Sequence, residues 1–571
     1  MRSWLCKAAV GGLALSAMAM MEGCAARPSE FQGAVEDFVD SSLALSPVSA
    51  TQAGYHVHQG VRLDRRLDDF SDAGIDQQRQ FFEGFRSRLE SFPESKLNTE
   101  DRADRRIMED QISLALLDLE TTQSWRHNPT LYVELIGNAM FAPYSLNYAP
   151  KARRYRDIIA RLKAVPALLA QAKANLVDAP EVWNRVAQEE LDGDIGLIDR
   201  TLRADVPPEL GIEYEKTSGA ALEALRDFHS YLSGPLAAKP SDWRLGPEVY
   251  AKKFALAIAN GETPAQTLAD AEAEMERIRG EMARMAAPKT IKEALDEIAQ
   301  QHPKREDYFK EAKRDLERAT QFVEARGLVP LPSGETLRVI PTPVFMRGIY
   351  GVGGFNPAPA LEPSLGGFYW ITPIPADWPA DRAESKLREY NNYGLEHLTI
   401  HEAMPGHWVQ FEYANRIEPR GRRLLRALFG SGPYVEGWAV YTQQLLTEQG
   451  YLDGEPGLKM TFYKQMLRVV ANTILDIRLQ TMGMTDDQAL DLMINQTYQE
   501  REEAVAKLQR AQLSSCQLPT YFAGWRGWLH VRSDDEKRMG PRFHLADFHR
   551  RALNEGAAPL PVLNGLLAAH E

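Results

Sequence analysis

Two histidines and a glutamate carry the clearest chemistry in this chain. They stand in the heptapeptide His401-Glu402-Ala403-Met404-Pro405-Gly406-His407. Neutral imidazoles offer nitrogen donors to a metal, and the glutamate beside the first can take a proton from a water that the metal activates. In the common zinc-hydrolase spacing the histidines are four apart, one helical turn, and share a face. Here they are six apart. Six residues advance about 600°, roughly 120° away from the first histidine at 3.6 residues per turn. A regular helix therefore cannot aim both at one ion. Pro405 interrupts the hydrogen-bond ladder and Gly406 accepts dihedrals that other residues avoid. The pair predicts a two-residue bulge that returns His407 to the metal face. On spacing alone, a helix that ends at Pro-Gly beside an incidental His-Glu pair accounts for the stretch equally well.

A second stretch weighs for the metal. Gly432-Pro433-Tyr434-Val435-Glu436-Gly437-Trp438-Ala439-Val440-Tyr441 opens with Gly-Pro, a helix start signal. Glu436 follows His407 by 29 positions, enough chain to finish one helix, turn and begin another beside it. A carboxylate from such a helix completes a two-histidine, one-glutamate site and leaves a position open for water. The competing account is a first-turn glutamate favoured by the helix dipole alone. Glu412 and Glu418 are rival third ligands, but they lie so close behind His407 that folding back is strained.

The pairing of HExxPGH with EGWAxY resembles the bacterial domain-of-unknown-function family 885. Its members are often lipoproteins and are regarded as zinc peptidases, similar to mostly helical oligopeptidases whose ligands are two histidines and a glutamate. The resemblance spans nearly the whole mature chain. Leu45 to Gly54 resembles the family's opening segment, and Phe548-His549 through Leu553 and Gly556 to Pro559-Leu560 its closing one. Trp408 departs from the pattern, where a second consecutive histidine is expected; this touches substrate contacts more than the metal. In the similar oligopeptidases a late tyrosine or histidine donates a hydrogen bond to the tetrahedral oxyanion. Within Gln517 to Gly524, the resemblance assigns that role to Tyr521, with a plain buried tyrosine as the alternative.

The elements that must position these residues are mostly helices. Phe31–Ala44, Ile75–Leu89 and Arg102–Leu119 carry apolar residues at three- and four-residue spacing. Pro143 is expected to break the chain before a helix over Tyr155–Val177. Thr263-Pro264 starts a helix, and Asp270–Met285 and Arg305–Ala325 are amphipathic. After Gly327 the composition turns to proline, glycine, aromatics and β-branched residues. Arg338–Ile340 and Phe368–Thr372 read as strands of a small sheet beside the metal helix, with Gly351–Pro357 as a glycine-rich connection that fits no nucleotide-binding motif. An edge of that sheet offers pairing to an extended peptide, or simply covers the core. Tyr463–Thr481 and Arg501–Gln512 are further helices. Arg468, Arg478 and Arg510 are candidates for internal ion pairs or for a peptide carboxylate. His56 and His58 read as surface-loop histidines. The expected fold is mainly α, a large multi-helix metallopeptidase-like fold with a small sheet. The expected division is a targeting segment at 1–26, a helical region at 27–326 and a catalytic region at 327–571, the last two open to forming one domain.

The bulk properties bound the function. The chain has 571 residues, 44% hydrophobic and 25% charged, a folded globular composition. A net charge of −13 lacks the basic footprint that nucleic acid requires. Arg2 and Lys7 precede an apolar run from Ala8 to Met21, too short for a comfortable span, then Glu22-Gly23-Cys24-Ala25-Ala26. This reads as a secretory signal with Cys24 as the lipidated residue of a lipoprotein; cleavage after Ala26 is the alternative. Cys6 and Cys24 lie in or at the edge of that segment, leaving Cys516 without an intramolecular partner. The expectation is an exported zinc metallopeptidase cutting peptide bonds, periplasmic or anchored to the membrane through an N-terminal lipid. His401, His407 and Glu436 hold zinc and Glu402 is the general base. A zinc hydrolase of another amide or ester, and a non-catalytic envelope lipoprotein with a decayed site, are the alternatives. Cys24→Ser is expected to release the protein from the membrane fraction or to block its maturation. An unchanged mature mass would favour cleavage after Ala26.

Overall fold

A computed structural model describes residues 29–333, 337–343, 347 and 351–569. The targeting segment and Cys24 lie outside the described residues. The fold is mainly α, with small sheets only. Two helices of the N-terminal half start where a side chain satisfies one of the first free N–H groups. Helix α1 (Glu30–Leu45) is capped by Ser29, which accepts from Gln32 N. Helix α2 (Thr99–Leu117) is capped by Asn98, which accepts from Asp101 N.

The expected break at Pro143 does not occur. Pro143 lies inside α3 (Thr130–Ser145), and α4 (Lys151–Asn175) follows. A helical proline frees the carbonyl four residues before it. Here that carbonyl belongs to Ala139, and it accepts a hydrogen bond at 2.8 Å from the buried guanidinium of Arg161 on α4. Tertiary packing thus replaces the lost helical bond. Further on, α5 (Pro264–Ala286) begins with a reciprocal Thr263–Gln266 capping box, as the Thr-Pro signal implies. Gly327 ends α6 (Tyr308–Arg326) at φ 58°, a left-handed conformation that glycine adopts without strain.

The sheet holds the two expected strands and one more. Strands β1 (Leu337–Pro341), β2 (Gly353–Asn356) and β3 (Gly367–Ile371) order as β1-β3-β2. β1 runs parallel to β3, pairing Val339 with Tyr369, and β2 runs antiparallel, pairing Phe355 with Tyr369. The glycine-rich stretch read as a connection therefore carries a strand. A Cβ at Gly353 would fall 2.4 Å from the Trp370 carbonyl oxygen, so this edge needs glycine for close approach.

Among the further helices, those that build the site and its surroundings are α7 (Asn392–Glu402), α8 (His407–Ala414), α9 (Arg420–Leu428), α10 (Gly432–Glu448), α11 (Pro456–Thr481), α12 (Arg501–Leu513), α13 (Pro519–Met539) and α14 (Leu545–Asn554). β3 lies against α7 through a 3.0 Å hydrogen bond between the Tyr369 and Thr399 hydroxyls. The N-terminal helices are tied to α9 by ion pairs. Arg420 meets Asp40 at 3.0 Å, and Arg422 meets Asp101 and Asp104 at 2.8 and 2.7 Å. Arg426, with its side chain 1% exposed, meets the fully buried Asp104 at 2.8 Å. A buried charge that loses its partner costs roughly 3–5 kcal/mol. Asp104→Ala is expected to lower unfolding stability by about that amount, read as a reduced denaturant midpoint. Wild-type stability would show that Arg426 finds another partner.

Candidate metal centre

The two histidines do not sit on one bulged helix. Helix α7 ends at Glu402 and α8 begins at His407, so a turn over 403–406 separates two short helices. The rotation problem posed by the spacing is solved by changing helix axis. The turn's donors are satisfied within it. Ala403 N and Met404 N both donate to Thr399 O, and Gly406 N donates to Ile400 O at 3.0 Å. Gly406 has φ −70°, so positive φ is not the reason for glycine there. The reason is space: a Cβ would fall 1.9 Å from His401 O and 2.4 Å from Ile400 O.

The second motif holds this turn in place. Trp438, fully buried on α10, donates its indole N–H to Pro405 O at 2.9 Å and Gly406 O at 3.2 Å. Glu436, two residues before it, reaches the histidines from the same helix. Helix α10 also crosses α13 at two glycines. A Cβ on Gly437 would lie 2.3 Å from Gly524 C, and one on Gly524 would lie 2.1 Å from Pro433 O. That approach brings the start of α13, with Tyr521, beside Glu436. Tyr441, at the end of the motif, donates to His549 Nε2 at 2.7 Å, because His549 Nδ1 already donates to Leu328 O at 2.7 Å. The closing segment of the sequence is thereby fastened to α10.

His401, His407 and Glu436 converge. Their donor atoms all lie within 4.8 Å of one another, and among the described residues no other His, Cys, Asp or Glu joins the group. The rival Glu418 is exposed and pairs with Arg423 at 3.4 Å. Both imidazole Nε2 atoms lie 3.5 Å from Glu436 Oε2. That is long for a charge-assisted hydrogen bond, about 2.7–2.9 Å. It is close to the roughly 3.3 Å between donors on a tetrahedral ion with bonds of about 2.0–2.1 Å. Glu436 Oε2 is buried and has no hydrogen-bond partner among the described residues. Burial pushes the Glu436 carboxyl up, but the two imidazoles outweigh it and hold it well below the usual carboxylate range. For His407, burial works against protonation and Glu436 outweighs it, so its pKa is raised. The three donors can share one cation.

Glu402 ends α7 beside His401 and makes no hydrogen bond or ion pair among the described residues, leaving its carboxylate available. The Tyr521 ring stacks on that of His401, with centroids 6.2 Å apart and planes 19° apart. Burial first, with Glu436 nearby, pushes the Tyr521 phenol up to about 12, so it keeps its proton at neutral pH. Other sequence candidates lie elsewhere. His56 is not a free surface histidine: its Nδ1 meets the buried Asp64 at 2.7 Å, and its ring stacks on Tyr148. Arg478 pairs with Glu272 at 2.6 Å. Cys516 is buried, and burial with the nearby Asp476 pushes its thiol well up, unlike a nucleophile. Sequence reasoning missed Gly437, Gly524 and the Trp438 anchor. A glycine beside the candidate ligand and a second beside Tyr521 were the available signals.

A mainly helical chain with two histidines and a glutamate converging at a helix break is the class that fold and site define. The profile of a family described as "Bacterial protein of unknown function (DUF885)" matches residues 47–567, and the chain belongs to that family. A solved structure described as a "putative lipoprotein of unknown function from Shewanella oneidensis" is similar at 29% identity and TM-score 0.79, covering 95% of this chain and 100% of that one. A "putative lipoprotein from Colwellia psychrerythraea" shares the fold at 19% identity and TM-score 0.77, covering 95% and 98%. No curated protein matches the chain. Gly406→Ala is expected to lower the melting temperature by several degrees, since overpacking against backbone costs roughly 1–3 kcal/mol. An unchanged melting temperature would show that the turn yields without cost.

Proposed function

We propose that the protein is an exported zinc-dependent peptidase. The observation that carries the reading is Glu436 Oε2, buried, without a hydrogen-bond partner among the described residues and 3.5 Å from both imidazole nitrogens, with Glu402 next to His401 in the chain. The donor set of two nitrogens and one carboxylate fits zinc and leaves a coordination position open. A zinc ion there supplies Lewis acidity to a scissile carbonyl and lowers the pKa of a coordinated water toward about 7. His401, His407 and Glu436 hold the ion, and the protein around them fixes their geometry. Glu402 takes the proton of the attacking water and passes it to the leaving amine. Tyr521, protonated and against His401, donates its hydroxyl hydrogen to the oxyanion of the tetrahedral intermediate.

The lipoprotein names of the two solved relatives and the Gly23-Cys24 pair after an apolar run support export with a lipid-anchored N-terminus. Among the described residues no helix is long and apolar enough to cross a membrane, so the lipid is the proposed attachment.

Metal analysis and a digest of a peptide library, set beside non-peptide amides and esters, test the reading. His401→Ala, His407→Ala and Glu436→Ala are each expected to lose most bound zinc. Full zinc occupancy in the His407 variant would remove it from the ligand set. Glu402→Gln is expected to keep zinc and lose about 10²–10⁴-fold in turnover. Hydrolysis of esters or non-peptide amides alone would transfer the site to another hydrolase, and none at all would leave a binding lipoprotein.

Zinc affinity is expected to fall as pH drops, because a protonated imidazole cannot ligate. The raised His407 pKa places the onset above the ordinary value of 6.5. An affinity constant from pH 8 to 6 would overturn the assignment.

A further inference from the structure

Three basic residues lie on two neighbouring helices: Arg468 on α11, and Lys507 and Arg510 on α12. Arg468 is compensated. Its guanidinium donates to the Tyr390 hydroxyl at 2.9 Å and pairs with Glu503. Lys507 and Arg510 are in no close ion pair among the described residues. Lys507, one helical turn after Glu503, is 6% exposed and makes no hydrogen bond or ion pair among the described residues. Arg510 is solvent-accessible, and its hydrogen bonds among the described residues go only to neutral partners. These are Gln517 Oε1 at 3.3 Å and the Tyr521 hydroxyl at 3.4 Å.

Arg510 reaches toward the metal cluster through the Tyr521 hydroxyl, whose ring packs on His401, and the charges of Glu503 and Glu436 both act on Lys507. Burial and the guanidiniums of Arg468 and Arg510 push the Lys507 amine well down, and Glu503 and Glu436 offset this only in part. A carboxylate placed between the Lys507 amine and the Arg510 guanidinium would favour the protonated amine and accept hydrogen bonds from both. Arginine's planar fork suits a carboxylate, held through two parallel N–H donors.

The position relative to the metal cluster selects the anion. Tyr521 bridges the two sites, its ring 6.2 Å from that of His401 and its hydroxyl 3.4 Å from Arg510. One or two extended residues, at about 3.3–3.6 Å each, span such a gap. We propose that Lys507 and Arg510 receive the free C-terminal carboxylate of the substrate, so that the protein trims peptides from the carboxyl end. The proposal rests on the peptidase reading of the metal centre and adds to it the end of the chain that is recognised. Tyr521 then serves both sites, its ring packed on a ligand and its hydroxyl beside the anchor.

The test separates binding from turnover. Zinc-loaded protein carrying Glu402→Gln is titrated calorimetrically with one N-acetylated apolar hexapeptide in three forms. These are the free acid, the C-terminal amide, and an amide with aspartate as the last residue. The acid is expected to bind at least about tenfold more tightly than either amide, the scale of charge-assisted hydrogen bonds. Adding Arg510→Gln, a change at an accessible side chain, or Lys507→Met, which keeps the apolar stem, should bring acid and amide within about twofold. Amide binding, zinc content and melting temperature should stay unchanged. Equal binding of acid and amide, or no measurable binding, overturns the proposal. So does loss of both forms together in the Arg510 variant. Binding of the aspartyl amide as tightly as the acid overturns it too, by showing that a side-chain carboxylate is read. Hydrolysis by the unmutated protein is measured separately. Acid-selective binding without any hydrolysis would keep the anchor and remove the peptidase.

Discussion

The turn between Glu402 and His407 is the constraint on which the site depends. Two histidines six positions apart face one another only because the chain changes axis between them. That change leaves the Pro405 carbonyl without a helical partner, and the Trp438 indole N–H reaches it from α10 while also meeting Gly406 O, which accepts from Gln410 N as well. The residue that closes the turn is two positions from Glu436. Fixing the turn and delivering the third donor are therefore one packing event, and a shift of α10 would disturb both.

The same helix is held from its other side by α13. Glycines at 437 and 524 let the backbones approach to a distance that any Cβ would forbid. The close approach trades side-chain contact for placement. Glu436 and Tyr521 come from segments far apart in sequence, yet each stands beside a glycine or a few residues from it. Around this crossing the polar groups are paired with care. The Tyr441–His549–Leu328 chain of hydrogen bonds and the Arg426–Asp104 ion pair are buried and satisfied. Glu436 Oε2 is a buried acceptor without a donor among the described residues, and it lies between two imidazole nitrogens. A buried acceptor left unpaired between two imidazole nitrogens is a place where a ligand is expected.

Much of the site was legible beforehand because its donor types are few and their spacing is informative. His401, His407 and Glu436 could be named from two motifs, and the family from the same residues. The helix start at Thr263-Pro264 was readable because an N-cap is a local matter of one side chain and the next turn. Other expectations failed where a distant segment overrode local chemistry. Pro143 does not break its helix because Arg161 takes over the freed carbonyl. Gly351–Pro357 carries a strand because β3 offers it a ladder. Gly406 is required for clearance, not for its dihedral freedom.

The sequence by itself determined the helical class, the donor set and the candidate base, since residue type and short-range periodicity carry that information. Only the tertiary structure decided that the three donors meet, that a turn replaces a bulge, and that Trp438 closes it. It alone set the Arg510 guanidinium beside the Tyr521 hydroxyl, whose ring packs on His401. Those facts depend on which helices touch and at what distance, and the Gly437–Gly524 contact that sets this distance joins residues 87 positions apart. No local pattern encodes that contact, because the glycine's partner is recognisable only once the backbones are side by side.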